Sequence, residues 1–422
     1  MKRVLMIAYH FPPLAGSSGI QRTLRFVQHL PNHGWKPVVL SATPHAYERV
    51  SDDLMSEIPA DTVVRRAFAL DTARHLSVSG RYVGAWARPD RWASWRFDAI
   101  RQGMALIRRY TPDAIWSTFP IATAHQIGAA LHQRSGLPWI ADFRDPMAQA
   151  DYPSDPLTWQ SYQRIEAHAA RNATWCCFTT PGATRIYRER YPDADERIQL
   201  VENGYDNDSF DIAERKIAGC PPLNPGCVTL LHSGLIYPIE RDPTQLFSAL
   251  AHMQQTDART AAKLRLRFRA AVHDDLLLNM ARQYGVSDLV EVLPPVPYTE
   301  ALQEMLRADV LMILQASNCN EQIPAKLYEY LRAGRPIACL SDAAGDTWTT
   351  LQRAGVQTMA QLDNANSIES LLRLCANSDT ETLTATPQGV AAGSRVARSA
   401  ELAALLDRCL PVQPAASLKF AQ

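Results

Sequence analysis

No stretch of this 422-residue sequence stays apolar and uncharged for the about 18 residues that a membrane-spanning helix needs. Neither sign of charge is in excess. Lys and Arg number 43 and so do Asp and Glu, which argues against a nucleic-acid protein, whose affinity comes largely from clustered basic charge. A local basic patch stays open. The eight cysteines are scattered, and the only close pair, Cys176-Cys177, has no zinc spacing. They read as reduced thiols of a cytosolic enzyme. His10, His125, His168, His232 and His273 are dispersed without ligand spacing, so no metal site is expected. Gly-x-Gly-x-x-Gly and Gly-x4-Gly-Lys-Ser/Thr runs are lacking, which weakens dinucleotide oxidoreductase and P-loop readings. There is no 20–50-residue repeat, and neither disorder nor low complexity is evident.

What is present is a rhythm of short Val- and Ile-rich runs alternating with helical patterns, as in α/β folds with buried parallel sheets. At about 150 residues per domain the length suits two large domains, each able to bury its own core. The start, MKRVLMIAYHFPP, has an apolar run only from Val4 to Tyr9, ends in Pro-Pro and lacks a small-residue cleavage site, so it reads as a first strand rather than a signal peptide. Further strands are expected at Val38–Ser41, Ala114–Thr118, Trp139–Phe143, Trp175–Thr179 and Ile198–Val201. Asn203-Gly204 is a strong turn, and Ala213–Gly226 reads as a connection. The rhythm restarts with strands at Val228–His232, Leu264–Val272, Val290–Leu293, Val310–Leu314 and Ile337–Leu340. The expected organisation is an N-terminal domain over 1–205, a linker over 206–226, a C-terminal domain over 227–390, and a segment over 391–422 whose helix crosses back to the first domain. Two Rossmann-like, doubly wound domains of this kind imply a cleft between facing strand ends, where ligands of such sheets bind.

The most informative segment is Asn320-Glu321-Gln322-Ile323-Pro324-Ala325-Lys326-Leu327-Tyr328-Glu329-Tyr330-Leu331-Arg332-Ala333-Gly334-Arg335-Pro336, which follows the strand Val310–Leu314. Pro324 suits a first helical position and Gly334 a C-terminal cap. The free N–H groups near Ala325 and Lys326 form an anion site supported by the helix dipole and the lysine charge. Glu321 before the helix and Glu329 in its second turn would suit sugar hydroxyls on both sides of a diphosphate. The plainer alternative is a loop acid and a solvated helix residue.

Glu321 and Glu329, eight positions apart after a buried strand, resemble the paired-glutamate motif of retaining glycosyltransferases of the B fold, family 4 especially. The loop Phe11-Pro12-Pro13-Leu14-Ala15-Gly16-Ser17-Ser18-Gly19 is similar to that family's N-terminal glycine loop. Glu202-Asn203-Gly204-Tyr205-Asp206 resembles its interdomain crossover, His232-Ser233-Gly234 the opening of its second domain, and Val292–Glu300 with Ala308-Asp309-Val310 its nucleotide-base region. The resemblance implies that Glu329 holds the donor ribose and Glu321 contacts the transferred sugar. It implies that Pro324, Ala325, Lys326, Ser233 and Gly234 bind the diphosphate. Gly16, Ser17 and Gly19 would let backbone approach donor phosphates or acceptor closely, unless the loop is a turn without a ligand.

Two departures stand out. Where the family pattern has Arg directly after the Gly of the second-domain opening and Lys five residues later, this sequence has Leu235 and Glu240. Arg241 is the replacement on offer, with a surface-loop arginine as the alternative. Where many members carry a histidine after the strand Trp139–Phe143, this sequence has Arg144-Asp145, read either as acceptor-orienting residues or as a structural ion pair. Asp206-Asn207-Asp208 mimics an Asp-x-Asp metal motif but reads as linker, because turn chemistry explains it. Trp86, Trp92 and Trp95, interleaved with arginines, fit either a peripheral membrane contact or a helix packed on the first domain.

The reading as a whole is a retaining transferase that moves a sugar from a nucleotide-diphosphate donor to a hydroxyl acceptor without metal or other cofactor. The acceptor is a carbohydrate, a lipid-linked or a small molecule, in cell-surface polysaccharide or glycolipid synthesis. The expected location is cytoplasmic, with peripheral attachment at the inner membrane surface an option. An epimerase of nucleotide sugars and a catalytically silent nucleotide-sugar scaffold are the alternatives. The departures at Leu235 and Glu240 motivate the second.

Overall fold

The computed structural model describes residues 1–410 apart from Ser18 and Asp151. The described residues form two compact units, one of Met1–Thr179, Ala183–Glu202 and 398–410, the other of Thr180–Gly182 and Asn203–Ala397. The first unit holds seven strands: β1 (Lys2–Ile7), β2 (Trp35–Ala42), β3 (Val63–Ala67), β4 (Ala114–Thr118), β5 (Trp139–Arg144), β6 (Trp175–Phe178) and β7 (Ile198–Leu200). They pair in the order β3-β2-β1-β4-β5-β6-β7, and every pairing is parallel. The second unit holds β8 (Val228–Ser233), β9 (Leu264–Arg269), β10 (Val290–Leu293), β11 (Val310–Gln315) and β12 (Ile337–Ser341). Their order is β10-β9-β8-β11-β12, again all parallel. In each sheet the strand order reverses beside the first strand, so the topological switch points lie at the carboxyl ends of β1/β4 and β8/β11.

β3 has no counterpart in the expected strands because Arg65 and Arg66 interrupt its apolar run. Arg65 Nε instead donates to Gln102 Oε1 (2.8 Å) and Arg66 Nη1 to Tyr47 Oη (3.1 Å). The tryptophan–arginine segment runs into a 16-residue helix, Trp95–Tyr110, which buries Trp95, Ala99, Gln102, Gly103 and Leu106. This corrects the expected surface role of two tryptophans. Trp95 is fully buried and Trp92 half-buried, its Nε1–H donating to Ala46 O (3.3 Å), while Trp86 alone of the three is exposed, at 55%.

The expected linker is a second correction. Asn207–Ile217 is a helix, and Asp206 caps it by accepting from Ser209 N (3.1 Å) and Ser209 Oγ (2.7 Å). Capping explains this Asp without a metal. Phe210 and Ala213 of that helix join the core around Leu231 and Leu311. The helix Arg395–Arg408 contributes Leu402, Ala403, Leu405 and Leu406 to the first unit's core beside Val4, Met6, Leu24 and Trp35. Its Asp407 accepts from Trp35 Nε1 (2.8 Å).

Under the helix Thr123–Ser135, a polar chain crosses the first unit's core. Trp139 Nε1–H donates to Ser117 Oγ (2.8 Å), which lies 2.8 Å from His125 Nδ1. Gly128 makes the approach possible, since a Cβ there would sit 2.7 Å from Trp139 Nε1 and 2.8 Å from Ser117 Oγ. Burial lowers the His125 pKa from 6.5 to about 4. Between those values the unfolded chain binds a proton that the folded chain does not, so stability falls as pH drops through this window. The urea midpoint followed by tryptophan fluorescence is therefore expected to be lower at about pH 5 than at about pH 7, and His125→Gln to flatten part of the difference.

Candidate active site

In the second unit, β8 ends at Ser233 and the chain turns at Gly234, whose φ is +121°. β11 leads through a turn at Ser317–Cys319 and the loop with Glu321 into the helix Lys326–Ala333, closed by the left-handed Gly334. The helix therefore starts two residues later than expected. Ala325 is its cap and Pro324 precedes it, with Pro324 O accepting from Leu327 N (2.9 Å). Tyr328 N likewise donates to Ala325 O (3.3 Å), which leaves Lys326 N as the first amide facing out of the helix end.

Lys326 Nζ lies 2.8 Å from Nε2 of His232, which is buried. His232 Nδ1 is 3.0 Å from Met312 O, an acceptor only, so Nδ1 carries the proton and Nε2 accepts from the lysine. Burial, then Lys326 and Arg241, hold the His232 pKa well below 6.5. A neutral histidine thus orients the ammonium. Burial and then Arg241 also push the Lys326 pKa well below 10.5, with Glu329 opposing. A bound anion reverses that shift.

Arg241 reaches back along its loop. Its Nη1 donates to Leu235 O (2.6 Å) and its guanidinium stacks 5.2 Å from the Tyr237 ring centroid. The arginine charge is thereby brought beside residue 235, although it belongs to a residue six positions later. Arg241 and Pro324 line a small cavity of about 40 Å³ together with Gln315, Cys319 and Gln322. Among the described residues, neither Lys326 nor Arg241 has a carboxylate ion-pair partner. Glu329 Oε1 accepts from Tyr298 Oη (2.8 Å), and burial raises its pKa. Glu321 is half-buried, and its carboxylate makes no hydrogen bond among the described residues. Ser233 N donates to Tyr330 Oη (2.9 Å).

A side chain at Gly234 would meet Lys326 Nζ at 3.1 Å and would have to adopt the left-handed φ. Gly234→Ala is therefore expected to weaken binding of a nucleoside diphosphate by about tenfold. Calorimetry checks this, with an unchanged circular dichroism spectrum as the control.

In the first unit, Ser17, Gly19 and Arg144 meet beyond the end of β1 with His10. Ser17 Oγ lies 3.0 Å from His10 Nδ1. A Cβ on Gly19 would meet His10 Nδ1 at 2.5 Å and Arg144 Nη1 at 2.7 Å. Crowding by protein and then Arg144 lower the His10 pKa to about 4. Arg144 has φ +64° where β5 slips register against β6, a strained backbone of the kind that clusters at functional positions. Gly16 is exposed, its nearest side-chain neighbour Arg49, and Ser18 lies outside the described residues. Arg144 and Asp145 form no ion pair among the described residues. The buried pair is Arg22–Asp142, with Nε–Oδ2 at 3.0 Å and Nη2–Oδ1 at 2.7 Å. His10, His232 as the lysine's partner, Tyr298 and Arg22–Asp142 had no signal in local spacing. The pairs Lys326–His232 and Arg22–Asp142 are 94 and 120 positions apart.

Among the described residues, no group of three or more His, Cys, Asp or Glu side chains is placed to hold a metal ion, and no helix is long and apolar enough to cross a membrane.

Residues 18–204 match the family model described as a glycosyl transferase 4-like domain. No curated protein matches the sequence. Among solved structures, a glycosyltransferase from Rickettsia africae ESF-5 is similar at 10% identity, with 98% of this chain and 99% of that chain covered and a TM-score of 0.64. Sucrose-phosphate synthase from Thermosynechococcus elongatus is similar at 13% identity, covering 97% and 99% with a TM-score of 0.63. Anabaena HepE in complex with UDP is similar at 14% identity, covering 97% and 100% with a TM-score of 0.64. The two Rossmann-like α/β units thus take the glycosyltransferase-B fold, and residues 18–204 are similar to a glycosyl transferase 4-like domain.

Proposed function

We propose that the protein transfers a sugar, with retention, from a nucleoside-diphosphate sugar to a hydroxyl acceptor. The observation that carries this reading is the lysine at the start of a helix, Lys326, oriented by a neutral buried histidine. As the glycosidic bond to the diphosphate breaks, negative charge grows on the departing phosphate oxygen. The outward Lys326 amide, the Lys326 ammonium and Arg241 stabilise that charge without a metal ion, by preorganised electrostatics. The departing phosphate takes the acceptor's proton as the acceptor oxygen attacks the same sugar face, so no protein nucleophile is used. Glu329 holds the ribose hydroxyls, Glu321 orients the sugar, and Ser17, Gly19, Arg144 and Asp145 serve the acceptor side. A similar fold solved with UDP supports a nucleoside diphosphate as the ligand.

The hydrogen bond from Arg241 to Leu235 O supports transfer over a silent scaffold, if Arg241 takes the role of the cation that the family pattern has at that place. The acceptor is a carbohydrate or lipid-linked hydroxyl of cell-surface polysaccharide or glycolipid assembly in the cytoplasm. Peripheral membrane contact would run through Trp86, which has exposed Tyr82 and Val83 nearby in sequence. A panel of nucleotide sugars, incubated with and without acceptors, tests the reading. Donor turnover is expected in the wild type and is lost in Glu321→Ala and Glu329→Ala. An epimer appearing without acceptor would instead identify an isomerase, and wild-type turnover in both variants would remove the site.

A further inference from the structure

The segment after β3 closes on itself and leaves a bare tip. At the start of the short helix Thr72–His75, Thr72 N donates to Arg91 O (2.9 Å) and Thr72 Oγ1 to Trp86 O (3.1 Å). Residues 72 to 86 therefore form a loop of the Ω type, whose ends meet. Its base is fixed by Arg91, which donates from Nε to Asp71 Oδ1 (2.9 Å) and from Nη2 to Asp71 Oδ2 (2.6 Å). Its tip is a two-residue hairpin. Val78 N donates to Arg81 O (2.8 Å) and Arg81 N to Val78 O (3.0 Å), around Ser79 and Gly80 with φ of +54° and +74°, the positive pair that a type I′ turn requires.

Nine consecutive residues, 78 to 86, are exposed. Four of them are large and apolar or aromatic: Val78 at 80%, Tyr82 at 42%, Val83 at 51% and Trp86 at 55%. One such residue alone is ordinary, but four on a single short hairpin make a patch. The charge beside them has one sign. From Thr72 to Pro89 the sequence holds no Asp or Glu, but it holds Arg74, Arg81 and Arg88. Arg74 and Arg81 have no carboxylate partner among the described residues, and Arg88 Nε reaches Asp155 Oδ2 only at 3.7 Å. A protruding apolar tip with unpaired arginines fits a soft anionic surface. Trp and Tyr rings are favoured in the interfacial layer of a bilayer, and arginines there are drawn to anionic headgroups. A protein partner would instead have to supply an acidic hollow shaped to the hairpin.

We propose that this hairpin docks on a bilayer of anionic lipids, with Val78, Tyr82, Val83 and Trp86 in the interfacial layer and Arg74, Arg81 and Arg88 on headgroup phosphates. This deepens the membrane contact named above and rests on that reading for its purpose, holding a lipid-linked acceptor. Flotation of the full chain with vesicles tests docking without any turnover, while UDP titrations report separately on the donor site, so the two readings fail independently. The chain is expected to float at least tenfold better with phosphatidylcholine vesicles that contain phosphatidylglycerol than with phosphatidylcholine alone, and less well as salt is raised. Arg81→Glu and the double variant Val78→Ser/Trp86→Ser, all at exposed positions, are each expected to lower the partition by about tenfold with UDP titrations unchanged. Trp86→Phe is expected to keep binding but to lose most of the fluorescence quenching by brominated phosphatidylglycerol. No flotation, equal flotation with both vesicles, or flotation untouched by the double variant overturns the proposal. So does a dimer that the double variant dissolves, since a second copy of the chain would then cover the tip.

Discussion

Lys326→Ala is expected to lower kcat/KM for the nucleotide-sugar donor by about 10²–10³, the range for removing one preorganised charge-stabilising group. The fold should be untouched. The ammonium is held away from bulk solvent, and its pKa is depressed. Removing such a group relieves a desolvation cost rather than adding one, so the melting temperature is expected to stay level or rise. Lys326→Arg should not rescue activity, because a planar guanidinium cannot take the place of a compact ammonium 2.8 Å from His232 Nε2. Stopped assays across a donor series, beside melting curves, check both halves. A parallel loss of activity and stability would mean that the lysine is structural. The depressed pKa has its own consequence. Diphosphate affinity is expected to fall as pH rises through a range below the ordinary lysine value, since the neutral amine attracts the anion less.

Asp142→Ala is expected to act in the opposite way, on stability first. Arg22 and Asp142 are 4% and 1% exposed at their side chains. The carboxylate accepts from Arg22 twice and from Thr118 Oγ1 (2.8 Å). Arg22 also donates to the carbonyls of Val201 (2.9 Å) and Glu202 (3.0 Å). The pair therefore ties the helix Gly19–His29 to β5 of the first sheet and to the chain just after β7. Deleting one partner leaves a buried charge uncompensated, at a cost of about 3–5 kcal/mol. Urea unfolding of the first unit should show that loss. The double variant Arg22→Met/Asp142→Leu should recover much of it, because well-packed apolar replacements of buried pairs are often neutral or stabilising. A single-variant cost near zero would contradict the pairing.

The strands were legible because buried parallel strands are near-continuous apolar runs. Val290–Leu293 matches the sequence reading residue for residue, as does Ala114–Thr118. β3 escaped because two arginines sit in it and satisfy themselves on the helix side chain of Gln102 and the Tyr47 hydroxyl. The helix Asn207–Ile217 escaped because its start, Asp-Asn-Asp, looks the same as a turn; only the burial of Phe210 and Ala213 separates the two. Of the tryptophans, sequence periodicity could not distinguish the buried Trp95 from the exposed Trp86.

At the candidate site, the segment from Asn320 to Gly334 could be read locally, since strand, loop and helix follow one another. Its partners could not. His232 enters from a strand 94 positions away, through the sheet order β8-β11, and Tyr298 from the start of the helix Tyr298–Arg307, 31 positions before Glu329. The return of Arg241 to residue 235 likewise depends on how one loop folds, which no spacing encodes.

The most direct measurement is a structure of the protein with a nucleoside diphosphate bound. The account predicts the phosphates within hydrogen-bonding distance of Lys326 Nζ and of Lys326 N at the start of the helix Lys326–Ala333, with the ribose on Glu329 in place of its contact with Tyr298. Phosphates seated on any other element, with Lys326 still donating only to His232, would contradict it.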